Sequence, residues 1–430
     1  MEGSRDMTNN KYISTVPFSG LYNWSVQYLN DSKIAFNKKY PMMRIGEFLK
    51  RNKTAVTIED GVKYKRVTIR VRNGGVVTRD EVIGKDIKTK KQFLVSEGQF
   101  IISKIDARNG AMGIIPAELD GAVVTQDFLP YDINTTKVNP QYFVLVCTTK
   151  QFIAFCQSCS SGTTNRQRVD EAQFLNIKIP VPTLDEQDKL VEEYNKTITQ
   201  AIQCEADINR ISSDLSNKIK ALLGYKDDSS DINNARKLLT FCPLSKMGRW
   251  DWWNNAYEQI SSLYPMEKLY KVIRMNSGLF LPKNKQIEGE YPVLGGNGVT
   301  GNHNAYCFSG KRIVIGRVGE YCGNIHIVDG KYWITDNAFK VDKISDIVSW
   351  EYLAIALEYM NLNQYRSISA QPSISQSKIL NLSIPVPPLA EQITIVDYYM
   401  TNKKHLAVLE QKANEYRQNA LKNFETQIFE

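Results

Sequence analysis

Three sets of residues in this sequence have types that could support an enzyme active site. A structural role explains each set better than catalysis does. The glycine-rich run 295–301 is not followed by the Gly-Lys-Ser/Thr of a phosphate-binding loop, so we interpret it as a surface turn. Asn139-Pro-Gln-Tyr142 lacks the second proline of an adenine methyltransferase motif, and Asn before Pro is typical of a helix start. Glu320 and Asp329-Gly-Lys331 could serve a metal-dependent nuclease, but Asp-Gly between two apolar runs predicts a β-hairpin turn.

The histidines and cysteines predict neither a catalytic triad nor a metal centre. The three histidines, at 303, 326 and 405, are too scattered for a ligand cluster. The seven cysteines are an odd set in a long chain, which argues against a disulfide framework, and the CxxC of Cys156 and Cys159 has no second CxxC beside it. We therefore expect reduced thiols, no metal, no cofactor in this chain and no catalysis of its own, so the function should lie in binding.

The segment 61–92 concentrates positive charge. It contains ten Lys or Arg residues against three acidic ones, in a chain of formal net charge +8. A basic face neutralises phosphates without selecting a sequence, so this segment is a candidate nucleic-acid surface. Lysines also protect exposed strand edges from aggregation, and the sequence leaves both interpretations open.

Composition places the chain among globular proteins, with 42% hydrophobic and 23% charged residues. No apolar run approaches the length of a bilayer-spanning helix, and residues 1–9 lack the apolar core of a secretory signal. These features predict no membrane association and a cytoplasmic location.

The chain contains an internal repeat, which predicts two related domains. Residues 179–187, Ile-Pro-Val-Pro-Thr-Leu-Asp-Glu-Gln, return at 384–392 as Ile-Pro-Val-Pro-Pro-Leu-Ala-Glu-Gln. Weaker matches precede the two copies of this nonapeptide, at 97–110 with 309–323 and at 123–128 with 333–339. Between these anchors the halves differ, notably at 61–92, so one scaffold would display two different surfaces.

A long amphipathic helix is predicted after each copy of the nonapeptide. From 191 to 222, ten positions at alternating spacings of three and four hold eight apolar residues, with Glu205 and Ser212 as exceptions. A second stripe of the same rhythm runs from Ile395 to Ala420 with Asn402 as its polar member. Each helix would be about 60 Å long at 1.5 Å per residue, and an unpaired stripe would be exposed. We therefore predict that the helices pack on each other; the alternative is that each lies only on its own domain.

The two nonapeptides at the starts of long helices resemble those of the specificity subunit of a type I restriction-modification system. The stretches before them, Gly162-Thr-Thr-Asn165 and Ser369-Ala-Gln371, belong to the same resemblance. The segment 89–110, which ends in Ser-Lys-Ile-Asp-Ala-Arg-Asn-Gly, is similar to a target recognition domain of that family. The similarity extends from about Pro17 to the C-terminus.

This resemblance implies a non-catalytic reader of double-stranded DNA. Each recognition domain would read one half of a split, asymmetric sequence, and the helices would form an antiparallel coiled coil that separates the domains and docks two methyltransferase subunits. Those partners would bind S-adenosylmethionine and methylate an adenine flipped out of the duplex. Motor-nuclease subunits, which use ATP and Mg, would cut unmodified DNA.

Side chains that read bases are expected on loops, because discrimination needs contact with base edges, whereas the basic segment would bind phosphates. The candidates in the first half are Lys63, Lys65, Arg66, Arg70, Arg72, Lys104, Arg108, Asn109, Thr163, Thr164, Asn165, Arg166 and Arg168. The candidates in the second half are Arg317, Asn337, Arg366 and Gln371. For each, a surface or structural role is the alternative. The Glu-Gln pair that ends each nonapeptide is expected to fix the start of the helix rather than to touch DNA.

The predicted fold class is α+β, with two mixed α/β target recognition domains joined by two long helices that form an antiparallel coiled coil, in an internal pseudo-twofold repeat. The predicted segments are a first recognition domain at 1–182, a central helix at 183–226, a linker at 227–242, a second recognition domain at 243–387 and a C-terminal helix at 388–430. Two alternatives stay open. One is a specificity subunit of a related system with a fused methyltransferase-nuclease partner; the other is a coiled-coil interaction protein that does not bind DNA.

Overall fold

The computed structural model describes residues 39–158, 160–161, 168–225, 261–343, 345–367 and 371–429. Its packing divides the chain into two compact units. The first comprises Met1–Cys204 and Lys412–Glu430, and the second comprises Glu205–Gln411. Both long helices, α4 (Leu184–Leu222) and α8 (Leu389–Phe429), contribute to both units.

Short strands form most of the first unit: β1 (Met42–Arg44), β2 (Leu49–Arg51), β3 (Ala55–Thr57), β4 (Lys63–Ile69), β5 (Val76–Ile83), β6 (Lys91–Leu94), β7 (Phe100–Ser103), β8 (Met112–Ile114), β9 (Val123–Val124), β10 (Phe128–Ile133), β11 (Ser160–Ser161), β12 (Arg168–Val169) and β13 (Lys178–Pro180). They form a five-stranded sheet in the order β3-β6-β9-β4-β5, a four-stranded antiparallel sheet in the order β2-β10-β7-β8, and the pairs β1-β13 and β11-β12. The strand β4 pairs with β9 in parallel and with β5 in an antiparallel ladder, so β5 is an edge strand.

Short helices complete the first unit, namely α1 (Pro140–Thr148), α2 (Lys150–Ser158) and α3 (Glu171–Asn176). The helix α1 begins as predicted, because the side chain of Asn139 accepts hydrogen bonds from the N–H groups of Gln141 and Tyr142. Aromatic rings fill the core between these helices and β7. The ring centroids of Phe100 and Phe143 lie 4.7 Å apart, and both side chains are fully buried.

The second unit repeats this plan with the strands β14 (Met266–Lys268), β15 (Ile273–Ser277), β16 (Tyr291–Gly295), β17 (Gly298–His303), β18 (Phe308–Ser309), β19 (Arg312–Gly316), β20 (Ile325–Val328), β21 (Lys331–Ile334), β22 (Ala338–Lys343) and β23 (Ser383–Pro385). Its short helices are α5 (Leu269–Val272), α6 (Trp350–Tyr359) and α7 (Gln376–Leu380). The four-stranded sheet β15-β22-β19-β20 corresponds to β2-β10-β7-β8, and the pair β14-β23 corresponds to β1-β13. A second sheet has the order β17-β16-β21-β18. The predicted repeat and the α+β class are confirmed.

The long helices contact each other inside the first unit, where the beginning of α4 meets the end of α8. The ring centroids of Tyr194 and Phe424 lie 6.4 Å apart with their planes at 71°. Beside them, Nε2 of Gln427 donates a hydrogen bond to a carboxylate oxygen of Glu193 at 2.9 Å.

Inside the second unit, the end of α4 meets the beginning of α8. Leu215 and Ile219 of α4 share one hydrophobic core with Ile395 and Tyr399 of α8. This pairing of opposite ends confirms the predicted antiparallel coiled coil. Of the ten predicted seam positions on α4, Ser212 is the exposed one, because the apolar stripe shifts there to its half-buried neighbour Ile211.

A buried glutamine fixes the start of each long helix, as the sequence predicts. The side chain of Gln187, which is 0% exposed, accepts a hydrogen bond from the N–H of Asn139 at 2.8 Å. Its amide donates to the carbonyl oxygens of Pro182 at 2.8 Å and Lys137 at 3.1 Å. Because Asn139 caps α1, one side chain ties the start of α4 to the start of α1.

The second half repeats this joint with the same chemistry. Gln392 accepts from the N–H of Ser349, the cap of α6, at 3.0 Å. It donates to the carbonyl oxygens of Pro387 at 3.0 Å and Ile347 at 2.7 Å. Sequence reasoning identified the residue type but not this geometry, in which both N–H groups and the oxygen of a buried amide have partners.

Two details differ from the sequence predictions. The turn at Asp329 and Gly330 is present, with Gly330 at φ +91°, but it does not close a hairpin. Its flanking strands join different sheets, since β20 pairs with β19 while β21 pairs with β16 and β18. The central helix ends at Leu222, four residues before the predicted 226, where Gly224 adopts φ +65° and terminates it. The predicted linker 227–242 lies outside the described residues.

Across the described part of the chain, every helix is too short or too polar to cross a lipid bilayer.

Candidate nucleic-acid interface

In the first half, three separate segments meet at Lys104, the residue that follows β7. Its N–H donates to the carbonyl oxygen of Asp127 at 2.8 Å, in the turn between β9 and β10. Its carbonyl oxygen accepts from the N–H of Val169 at 2.9 Å, in the strand β12. The structure therefore places the basic residue Lys104 beside the segment that carries Arg168.

The second half builds the same arrangement around Arg317, the residue that follows β19. Its N–H donates to the carbonyl oxygen of Asn337 at 2.9 Å, and its carbonyl oxygen accepts from the N–H of Ile374 at 3.0 Å. Backbones approach closely here, because a Cβ at Gly296 would lie 2.6 Å from the Val318 carbonyl oxygen. This crowding requires glycine at position 296.

The strand ladders show that the two arrangements are equivalent in register. Ser103 faces Phe128 across β7 and β10, and Gly316 faces Ala338 across β19 and β22. Asp127 directly precedes Phe128, and Asn337 directly precedes Ala338. Lys104 directly follows Ser103 at the end of β7, and Arg317 directly follows Gly316 at the end of β19. We call these four residues, with Arg168, the paired reader positions. One backbone geometry thus presents Lys and Asp in the first half and Arg and Asn in the second.

Side-chain contacts hold Arg317 over a polar groove of about 440 Å³, lined by Ser277, Arg317, Val318, Phe339, Gln371, Ser373, Ile374, Ser375 and Gln376. One guanidinium nitrogen donates to Oγ of Ser277 at 3.1 Å, and the guanidinium carbon lies 5.6 Å from the Phe339 ring centroid. Asn337 is exposed beside it. Three of the four candidates in this half, Arg317, Asn337 and Gln371, thus lie together.

The fourth candidate, Arg366, lies at the adjoining turn. Its guanidinium donates to Oδ1 of Asn363 at 2.9 Å, and the Asn363 amide donates to the carbonyl oxygens of Glu320 and Cys322. The N–H of Gly319 in the same turn donates to the carbonyl oxygen of Pro372. Arg366 is exposed, so its side chain lies at the rim of the loop cluster.

In the first half, Arg168 forms an ion pair with Asp127 at 3.1 Å, and the two side chains are 59% and 34% exposed. Asn109 is exposed and donates to Oδ1 of Asp106, whereas Arg108 is half-buried. The backbone N–H of Arg72 donates to the carbonyl oxygen of Asn109 at 2.6 Å, so the β4–β5 turn adjoins these candidates. The candidates Thr163, Thr164, Asn165 and Arg166 lie outside the described residues.

The structure separates the other basic candidates from this site. Lys63 stands at the opposite end of β4 from Arg70, about 23 Å away at 3.3 Å per strand residue. Lys65 donates to the carbonyl oxygen of Glu118 at 3.0 Å. Arg66 binds both oxygens of Asp80 at 2.6 and 2.7 Å, and this hydrogen bonding raises the pKa of Arg66 and lowers that of Asp80. The segment 61–92 therefore contains the β4–β5 hairpin, whose second strand lies at the edge of the five-stranded sheet.

Sequence reasoning missed Asp127 and Ser277, which contact predicted residues. Asp127 could have been found from the repeat, because the alignment of 123–128 with 333–339 brings it opposite Asn337. Nothing in the sequence connects Ser277 to Arg317, forty residues away, since the contact depends on how β15 and β19 both flank β22.

The family model described as "Type I restriction modification DNA specificity domain" matches this chain twice, at residues 28–210 and 267–415. A curated relative, the "Type I restriction enzyme EcoprrI specificity subunit" of Escherichia coli, is 33% identical over 133 residues. That match covers 30% of this chain, and it spans about a third of the relative's length (33%).

Two solved structures share the fold. The S subunit of a type I restriction-modification system from M. genitalium aligns with a TM-score of 0.50 at 13% identity, over 90% of this chain and 97% of that one. A chain described under complex assembly and conformational transition of the type I R-M system aligns with a TM-score of 0.53 at 17% identity, over 91% and 97%. Because the family model matches more than half of its length, the chain belongs to the family of type I restriction-modification DNA specificity proteins.

Proposed function

We propose that this chain selects the DNA target of a type I restriction-modification complex by reading two unlike half-sites, one with each recognition domain. The observation that carries the proposal is the pair of register-equivalent sites. Each is built where a residue at a strand end is hydrogen-bonded to two other segments, and each holds different side chains capable of binding base edges. A duplicated scaffold with different side chains at equivalent positions suits a split, asymmetric target.

In this proposal the chain delivers sequence discrimination and register, and its partners carry out the chemistry. The antiparallel helices act as the spacer, with a recognition domain attached at each nonapeptide joint. Two methyltransferase subunits that use S-adenosylmethionine would modify an adenine, and motor-nuclease subunits that use ATP and Mg would cut unmodified DNA. The complex would work in the cytoplasm, where the genome is accessible to it. The division at 1–182, 183–226, 227–242, 243–387 and 388–430 belongs to the same proposal.

Among the candidate residues, the proposal assigns base reading to the loop cluster and phosphate binding to the basic positions on β4 and its turn. Lys63, Lys65, Arg70 and Arg72 are exposed and can neutralise phosphates. Arg66 would have to leave Asp80 to do so, so we expect the smallest contribution from it. Each phosphate contact that is removed should lower the slope of affinity against salt by about one.

Sequencing of methylated adenines in the source genome, with and without this gene, tests the proposal. We expect methylation at one split, asymmetric motif to disappear when the gene is deleted. The proposal is wrong if no motif is lost, or if the lost motif is a single continuous short sequence. Purification of the tagged chain from the same cells identifies the partner, and a single fused methyltransferase-nuclease would favour the related system.

A further inference from the structure

Among the paired reader positions, Asp127 of the first half and Asn337 of the second are equivalent, and one has a carboxylate where the other has an amide. The carbonyl oxygens of Asp127 and Asn337 accept from the N–H of Lys104 and Arg317 at 2.8 and 2.9 Å. Both turns are closed by the same bond, from Phe128 N–H to Thr125 and from Ala338 N–H to Thr335, at 3.1 Å each. The two side chains therefore leave equivalent points of the backbone, and their difference is one of chemistry.

Asp127 differs further from Asn337 because it is joined to a cation. A guanidinium nitrogen of Arg168 lies 3.1 Å from Oδ1 of Asp127, and 59% of the arginine side chain is exposed. An exposed pair of this kind contributes little to stability, typically below about 1 kcal/mol. A guanidinium has five N–H donors and a carboxylate has two acceptor oxygens, so one contact exhausts neither group.

The pair offers the fork of guanidinium donors beside a carboxylate acceptor, and in the DNA major groove this combination matches a guanine-cytosine pair best. Guanine presents two acceptors there, O6 and N7, and its cytosine partner presents the N4 amino donor. An adenine-thymine pair also presents one donor beside acceptors, but neither of its bases has two adjacent acceptors, so it cannot take the bidentate contact of an arginine. The arrangement of Arg168 and Asp127 therefore favours a guanine-cytosine pair.

Resting on the proposed function, we propose that Asp127 and Arg168 together determine specificity for a guanine-cytosine pair in the half-site read by the first recognition domain. Arg168 donates to guanine, and Asp127 accepts from the amino group of cytosine. Asn337 reads adenine at the equivalent position of the other half-site, because its amide both donates and accepts, as the N7 and amino group of adenine require. The two halves thus use one backbone position for two different base pairs.

Affinity selection from a pool of randomised duplex DNA tests this inference. The complex is purified from the source cells through a tag on the full-length chain, and the bound duplexes are sequenced. Wild type should select a split motif with a guanine-cytosine pair at one position of one half. Asp127→Asn gives the first half the side chain of the second, so the preference at that position should fall at least tenfold and shift toward adenine-thymine. Arg168→Gln should weaken the preference at the same position.

Matched variants separate base reading from a structural role. Asp60→Asn makes the same change in another exposed ion pair of the first unit, with Lys90 at 2.5 Å, and should leave the motif unchanged. Asn337→Asp should change one position of the other half-site alone. If Asp127→Asn does not fold, Arg168→Gln, whose side chain is mostly exposed, carries the test.

Failure of the inference and failure of the proposed function give different results in this experiment. If wild type selects a split motif and Asp127→Asn and Arg168→Gln select that same motif, the inference fails while the proposed function stands. A uniform loss of affinity at every position of both half-sites would also overturn the inference, since it would show a structural role. If wild type selects no split motif, the proposed function fails, and the inference falls with it.

Discussion

The two joints at the helix starts and the two sets of reader positions both occur twice, yet only the joints keep their side chains. Gln187 and Gln392 make the same three kinds of hydrogen bond, to a helix cap and to two carbonyl oxygens. At the reader positions the backbone bonds are the same, whereas Lys104 and Asp127 are replaced by Arg317 and Asn337. The difference teaches that the repeat preserves how each domain is attached and varies what it presents.

The largest effect is expected at the joints. Gln187→Ala or Gln392→Ala leaves one N–H and two carbonyl oxygens without their partner in a buried site. We expect each variant to lower the free energy of unfolding by about 3 kcal/mol, since each unsatisfied buried group costs roughly 1 kcal/mol or more. Denaturant titration measures the loss, and Gln203→Ala on the exposed face of α4 is the control. Similar losses in both halves would support the equivalence of the joints; a loss at one alone would break it.

The next effect is expected in DNA discrimination. Arg317→Ala should reduce the preference for one base pair in its half-site by about 10- to 100-fold, given roughly 1–3 kcal/mol for a bidentate base contact. Lys104→Ala should reduce the preference in the half-site read by the first recognition domain and leave the half-site read by the second unchanged. Quantitative binding to duplexes that vary at single positions measures both. Loss of preference in both half-sites from either variant would show that the two sites do not act separately.

A smaller effect is expected at a second shared contact. The hydroxyl groups of Tyr142 and Tyr352 donate to the carbonyl oxygens of Pro180 and Pro385 at 2.8 and 2.7 Å, and burial raises the pKa of both tyrosines. Tyr142→Phe and Tyr352→Phe should each lower the free energy of unfolding by about 1–2 kcal/mol, because a buried carbonyl loses its donor. Tyr416→Phe, on the half-buried seam of α8, is a comparison with less burial. Effects that differ widely between the two variants would argue against a shared design.

The smallest effect distinguishes the halves at low pH. A hydrogen bond from Lys311 lowers the pKa of Glu351 on α6, where the equivalent residue of α1 is Gln141. A lowered folded-state pKa stabilises the protein above the unfolded value of about 4.3, and this contribution is lost as pH falls through the folded value. Because both partners are over a third exposed, we expect less than about 1 kcal/mol. Unfolding of Glu351→Gln measured from pH 7 to 3 should show a shallower acid decline than wild type, and Glu288→Gln is the control.

The sequence predicted the elements that depend on local pattern. The C-terminal helix, predicted at 388–430, is observed as Leu389–Phe429, because its apolar rhythm and the prolines before it are both local signals. Asn139 and Pro140 likewise predicted the start of α1. The prediction of a hairpin at Asp329-Gly330 was wrong, because the residues of a turn do not determine which strands the flanking segments pair with.

The candidate site could be predicted by segment but not by contact. The repeat marked the segments that contain the main candidates. The structure brings Lys104 close to the segment of Arg168, and it brings Arg317 and Gln371 to the same groove. The pairing of Arg66 with Asp80 was not predictable, since it depends on the register of β4 against β5, and a bulge after Arg66 sets that register. Asp127 can be identified from its alignment with Asn337 in the repeat, whereas the hydrogen bond from the N–H of Lys104 to its carbonyl oxygen cannot.

The central claim is that each half of the chain reads its own half-site through one shared architecture. Its most direct test replaces residues 266–385 with a copy of residues 42–180, so that both ends of each exchanged segment lie in the equivalent strand pairs β1-β13 and β14-β23. Selection from randomised duplex DNA should then give a split motif with two copies of the first half-site. Retention of the original asymmetric motif would contradict the account.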